Sequence, residues 1–157
     1  MKKLYIIFSL ALVSTSLYAQ TTATKKADKL FNQYKYVAAT EEYLKLIDNG
    51  KADGYVYKQL ADSYYNIFNT TEAAKWYAKA TETNQEAETY YRYAQMLKGN
   101  GKYTEANAQM KKFASLAPND QRAKTFLENP NYIPQLLDKA KLFDVKILDI
   151  NSEKSDF

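Results

Sequence analysis

The sequence predicts an all-α fold in which three helix pairs stack into a superhelix and two C-terminal helices close it. Three observations carry that expectation: one spacing of small and large residues returns three times, breaks containing glycine and asparagine fall between the expected helices, and no cysteine is present to staple an alternative. The first copy is Ala27-x2-Leu30-x5-Tyr36-x2-Ala39-x3-Tyr43, the second Ala61-x2-Tyr64-x5-Thr70-x2-Ala73-x3-Tyr77, and the third Ala94-x2-Leu97-x5-Tyr103-x2-Ala106-x3-Met110. The copies are offset by 34 and then 33 residues.

Taken in order, residues 1–19 stand outside the fold. Lys2 and Lys3 precede an apolar run from Leu4 to Val13, and a small residue, Ala19, ends the segment, which is the pattern of a secretory signal peptide. The run is too short to remain in a bilayer as an anchor, so no integral membrane segment is expected after cleavage. The mature chain then begins near Gln20 and contains about 138 residues, enough for one domain. With no cysteine, an exported chain of this size depends on packing for its stability.

Helices are expected at about 22–33, 36–48, 54–67, 70–82, 86–98 and 103–116, giving repeats at about 20–53, 54–86 and 87–119. Asn49-Gly50 and Gly99-Asn100-Gly101 are helix-stop signals, and Asn69-Thr70-Thr71-Glu72 supplies a cap residue with a glutamate three later. Within each copy, residues three or four apart share one helical face. Each alanine therefore lets the neighbouring helix approach while a large residue fills the adjoining groove. A single pair leaves an apolar face uncovered, so the pairs stack. Two further helices, Asp120 to Glu128 and Pro134 to about Leu142, suit a cap over residues 120–142, with Phe126, Leu127, Leu136 and Leu137 as its candidate seal. Residues 143–157 end in "VKILDINSEKSDF", a strand-like tail with no partner strand.

The spacing resembles the tetratricopeptide repeat (TPR), whose signature is a small then a large residue on the first helix and an aromatic, a small residue and an aromatic on the second. Thr70 and Met110 depart from the aromatic positions. In that family the first helix of each pair lines a concave surface. Carried across, the resemblance assigns to a partner-binding groove Phe31 and Asn32; Tyr55, Lys58, Asp62, Tyr65 and Asn66; and Tyr91, Gln95 and Lys98, with Glu88 beside them. Aromatic platforms mixed with hydrogen-bonding groups suit a protein or an extended peptide. The set does not reproduce the lysine and asparagine clamp with which some relatives hold a C-terminal carboxylate. Among the fifteen tyrosines, Tyr57, Tyr64, Tyr77, Tyr90 and Tyr93 are assigned to the core, as is Trp76.

Composition argues against chemistry. Histidine and cysteine are both absent, which removes the common general base, the nucleophile–base pairs and the preferred zinc ligands. The paired acids Glu41-Glu42 and Glu86-x-Glu88 lie among lysines on solvated faces, and no glycine-rich phosphate loop is present. No enzyme, metal or cofactor is expected. Without Lys2 and Lys3 the chain carries 20 Lys and Arg against 18 Asp and Glu, interspersed, so a nucleic-acid partner is not expected either.

The order of signal peptide, repeats, short connector and Leu148-Asp149-Ile150-Asn151-Ser152-Glu153-Lys154-Ser155-Asp156-Phe157 resembles the front of a family of OmpA-type envelope proteins of Bacteroidetes. In that family the Ser-Asp-Phe stretch leads into a β-propeller and then an OmpA-like peptidoglycan-binding domain, and some members are associated with type IX secretion. The resemblance implies a non-catalytic periplasmic scaffold at the inner face of the outer membrane, reaching peptidoglycan only through a domain this chain does not contain. The alternative is a self-contained secreted adaptor with a disordered C-terminal tail.

Overall fold

The computed structural model describes residues 23–130 together with Tyr132 and Gln135. Among the described residues there are seven helices and no strand: α1 (23–32), α2 (Tyr36–Asp48), α3 (Gly54–Asn66), α4 (Thr70–Ala80), α5 (Ala87–Gly99), α6 (Tyr103–Leu116) and α7 (Gln121–Glu128). Tyr132 and Gln135 are also helical. The expected signal peptide, the tail from residue 143 and the sealing residues Leu136 and Leu137 lie outside the described residues.

The repeat residues behave as their spacing requires. Ala27, Ala61 and Ala94 on the first helices, and Ala39, Ala73 and Ala106 on the second, are all fully buried. So are Tyr43, Tyr77 and Met110 at the last position of each copy. Three apolar clusters follow one another along the stack, around Tyr43 and Leu60, then Tyr77 and Leu97, then Phe113 and Phe126. Tyr64 and Trp76 pack against both of the first two and make them continuous. Trp76 is therefore half-buried rather than enclosed. Its ring stacks on Tyr57 at 6.0 Å, and its indole N–H donates to Glu72. The architecture is a TPR-type superhelix of three helix pairs, with α7 placed as the first helix of a fourth. Phe126 seals it as expected, whereas Leu127 does not: it is 57% exposed.

Turn chemistry explains where the helices stop. The turns after α1, α3 and α5 close identically, with Lys35, Asn69 and Lys102 N–H groups donating to the carbonyls of Leu30, Tyr64 and Leu97 at 2.9–3.0 Å. This closure needs one left-handed residue. Gly101 supplies it in the third copy at φ 72°, but Tyr34 and Phe68 occupy the same place at φ 59° and 58°. At the next helix starts, Asp53 and Asn69 side chains accept from the amides of Val56 and Glu72. Thr70, which departs from the aromatic pattern, compensates by polar contact. Its hydroxyl donates to Asn100 Oδ1 at 2.7 Å, and Asn100 Nδ2 returns a bond to its carbonyl at 3.0 Å.

Candidate functional site

The inner face is built from α1, α3, α5 and α7, and repeat-equivalent positions on it have been used in two different ways. In the second repeat the polar side chains satisfy one another. Asp62 is 1% exposed and accepts from the Tyr77 hydroxyl at 2.5 Å, from Arg92 Nη1 at 3.1 Å and from Lys58 Nζ at 2.9 Å. Lys58 also reaches Glu86 at 3.3 Å. Burial and then the neighbouring carboxylate push the Tyr77 phenol well above its ordinary range. Burial opposes the charge on Arg92, but the Asp62 carboxylate outweighs it and raises the guanidinium. The void left among these groups is only about 30 Å³.

One repeat later the same positions leave a cavity. Lys58, Asp62, Tyr77 and Arg92 correspond, at an offset of 33, to Tyr91, Gln95, Met110 and Thr125. No charge remains among these four, and Thr125 is too short to reach Gln95 as Arg92 reaches Asp62. The result is an open cavity of about 550 Å³ between α5 and α7, lined by all four together with Lys98, Arg122, Phe126 and Tyr132. Arg122 lies 4.2 Å from the centre of the Tyr91 ring and is held by Glu88 at 2.8 Å and Asp120 at 2.9 Å. Those two carboxylates raise its guanidinium. Tyr91 in turn packs on Phe113 at 5.2 Å, so the cavity has a rigid aromatic wall. Lys98 stands on the rim, 3.3 Å from the Tyr132 hydroxyl.

The structure thus brings together Tyr91, Gln95 and Lys98 of the residues assigned from sequence, and gives the others different settings. Lys58 and Asp62 are engaged in the ion lattice. Tyr65 lies beneath Arg92 at 5.2 Å and packs against the central cluster. Asn66 donates back to the Asp62 carbonyl at 2.7 Å within its own helix. Phe31 meets Tyr36 edge-on at 5.3 Å, while Asn32 is exposed. Tyr55 is partly exposed, and its hydroxyl donates to Asp28 at 3.0 Å. Asp28 also receives the Tyr43 hydroxyl at 2.6 Å.

Sequence reasoning missed Asp28, Arg92, Arg122, Thr125 and Tyr132. Part of the signal was present. Asp28 and Asp62 are repeat equivalents, as are their partners Tyr43 and Tyr77, and the third copy loses acid and tyrosine together as Gln95 and Met110. The same offset carried past residue 119 would have placed Arg122 and Thr125 on the inner face.

No family model and no curated protein matches the chain. Solved structures do, TPR domains among them. The second TPR domain of human RPAP3, in complex with the HSP70 peptide SGPTIEEVD, is 24% identical with a TM-score of 0.60, covering 71% of this chain and 94% of that one. The first TPR of Spaghetti (RPAP3), bound to the HSP90 peptide SRMEEVD, is 23% identical with a TM-score of 0.61, covering 76% and 93%. Yeast Tom70 gives a TM-score of 0.65 at 19% identity over 88% of this chain, which spans 32% of Tom70. At these identities the likeness is one of fold.

Proposed function

We propose that this chain is a non-catalytic interaction module of the bacterial envelope that holds an extended peptide segment of a protein partner against its inner face. The observation that carries this reading is the cavity between α5 and α7, where repeat-equivalent positions that are self-satisfied in the second repeat are left open. Its rigid aromatic wall, apolar floor of Met110 and Phe126, and Gln95, Thr125 and Lys98 as polar groups match what an extended chain requires. Two of the structural neighbours hold peptides. Absence of histidine and cysteine agrees with a role in binding rather than catalysis. Among the described residues no helix is long and apolar enough to cross a membrane.

The signal-peptide pattern and the OmpA-type tail support placement in the periplasm at the inner face of the outer membrane. There the chain would serve as the N-terminal module of an OmpA-family protein that reaches peptidoglycan through a separate domain. Two measurements test the reading. In the native cell, fractionation should recover the protein in the envelope with an N-terminus near Gln20; recovery in the cytoplasm with Met1 retained refutes the placement. For the groove, Gln95→Asp with Thr125→Arg installs the second repeat's ion pair in the cavity. A partner captured from envelope extract by the wild-type chain should be lost by this variant at unchanged helicity, and undiminished capture refutes binding there.

A further inference from the structure

The first helices of the three pairs, α1, α3 and α5, carry Phe31, Tyr65 and Lys98 at one equivalent position, so the third copy replaces an aromatic with a cation at the rim of its open cavity. Its surroundings sharpen the choice. Among the described residues the cavity is lined by two cations, Lys98 and Arg122, and by no carboxylate. Arg122 is already bound by Glu88 and Asp120, whereas Lys98 has no carboxylate within 4.0 Å among the described residues. Its ammonium lies 5.5 Å from the centre of the Tyr132 ring and near that hydroxyl, contacts that position the charge without neutralising it. A half-buried cation set beside an apolar floor is complementary to a ligand that offers an anion next to an apolar side chain.

We infer that the α5–α7 cavity selects acidic peptides, seating an aliphatic or aromatic side chain over Met110 and Phe126 and a neighbouring carboxylate on Lys98. This rests on the groove reading above and adds a chemical class of partner to it. The site lies between α5 and α7, beyond Lys58, Asp62 and Arg92. Those three charges occupy the equivalent place between α3 and α5, and they are spent on one another. Selectivity should therefore follow Lys98 rather than the total charge of the inner face.

The test uses the mature chain and a random linear heptapeptide library displayed on phage, with the selected peptides then synthesised and titrated by fluorescence anisotropy. The expected result is enrichment of Asp and Glu beside an apolar residue. Affinity should fall by roughly threefold in Lys98→Gln and by roughly tenfold or more in Lys98→Glu, with no change in Lys111→Glu on the outer helix. Selection repeated on Lys98→Glu should favour Lys and Arg instead. Circular dichroism and thermal midpoints of the Lys98 variants should match wild type. Peptides without acid enrichment that bind Lys98→Glu as well as wild type, yet fail on Gln95→Asp/Thr125→Arg, overturn the inference and leave the groove standing. Selection of no peptide, or of peptides indifferent to the filled cavity, overturns both.

Discussion

Replacing Asp62 with alanine should be the most damaging single change on the inner face, and the cost follows from what it leaves behind. The carboxylate is 1% exposed and is the shared acceptor for Tyr77, Arg92 and Lys58. Without it the Tyr77 hydroxyl is fully enclosed with no acceptor, and Arg92 loses its closest counter-charge while half-buried. Breaking such a pair costs about 3–5 kcal/mol, because an uncompensated charge remains. Tyr77→Phe removes only one hydrogen bond to a charged group and should cost about 1.5–3 kcal/mol. The third repeat shows how the same place is built without charge, as Gln95, Met110 and Thr125. The triple variant Asp62→Gln/Tyr77→Met/Arg92→Thr should therefore recover most of what Asp62→Ala loses, and should open a second cavity. Urea denaturation followed by circular dichroism gives the free energies. A midpoint lowered by on the order of 15 °C is the thermal counterpart for Asp62→Ala in a domain of this size. A cost below about 1 kcal/mol for Asp62→Ala, or a triple variant less stable than it, would refute the lattice as the reason the second repeat is closed.

Three further outcomes follow from the turns and the titrating groups. Phe68 is 83% exposed at φ 58°, so Phe68→Gly relieves left-handed strain at almost no packing loss and should raise stability by about 0.5–1 kcal/mol, read as a higher thermal midpoint. Burial and the hydrogen bond to Asp28 push the Tyr55 phenol up to about 12, and burial likewise raises Tyr43 and Tyr77. Unfolded tyrosines ionise near pH ~10, so stability is fully present below that pH and falls as pH rises through it; Tyr77→Phe should flatten the alkaline limb of midpoint against pH. Asp120, held below its ordinary range by hydrogen bonds from Arg122, contributes above its unfolded value and loses that contribution as pH falls. Asp120→Asn keeps a capping oxygen for the Arg122 amide, and its midpoint should be less sensitive than wild type between pH ~5 and ~3.

The fold was legible because it is written in residues whose role is local and repeated. Six alanines at fixed spacing specify where helices approach, and all six are buried. The boundaries of α2 and α6 agree with expectation because Gly50 and Gly101 take the left-handed turn that ends the preceding chain segment. The site was legible only in part. Position on the inner face can be read from the repeat, so Tyr91, Gln95 and Lys98 could be placed there. Whether a polar residue on that face is available or spent depends on a neighbour about thirty residues away. Arg92 reaching Asp62 and Arg122 reaching Glu88 are such contacts, and no single-helix pattern displays them. Leu127 failed for a related reason. Leu127 lies one turn from Ala123, at the edge of the stripe that Ala123 and Phe126 bury, and its exposure depends on how far the facing helices reach, which the spacing on α7 does not display.

A backbone amide shift map of the mature chain, recorded as a library-selected peptide is added, tests the central claim most directly. Binding in the α5–α7 cavity predicts the largest shifts at Tyr91, Gln95, Lys98, Arg122 and Thr125, with Lys58 and Asp62 little changed. Shifts centred instead on the exposed turns at Tyr34 and Phe68, or spread along α3, would contradict it.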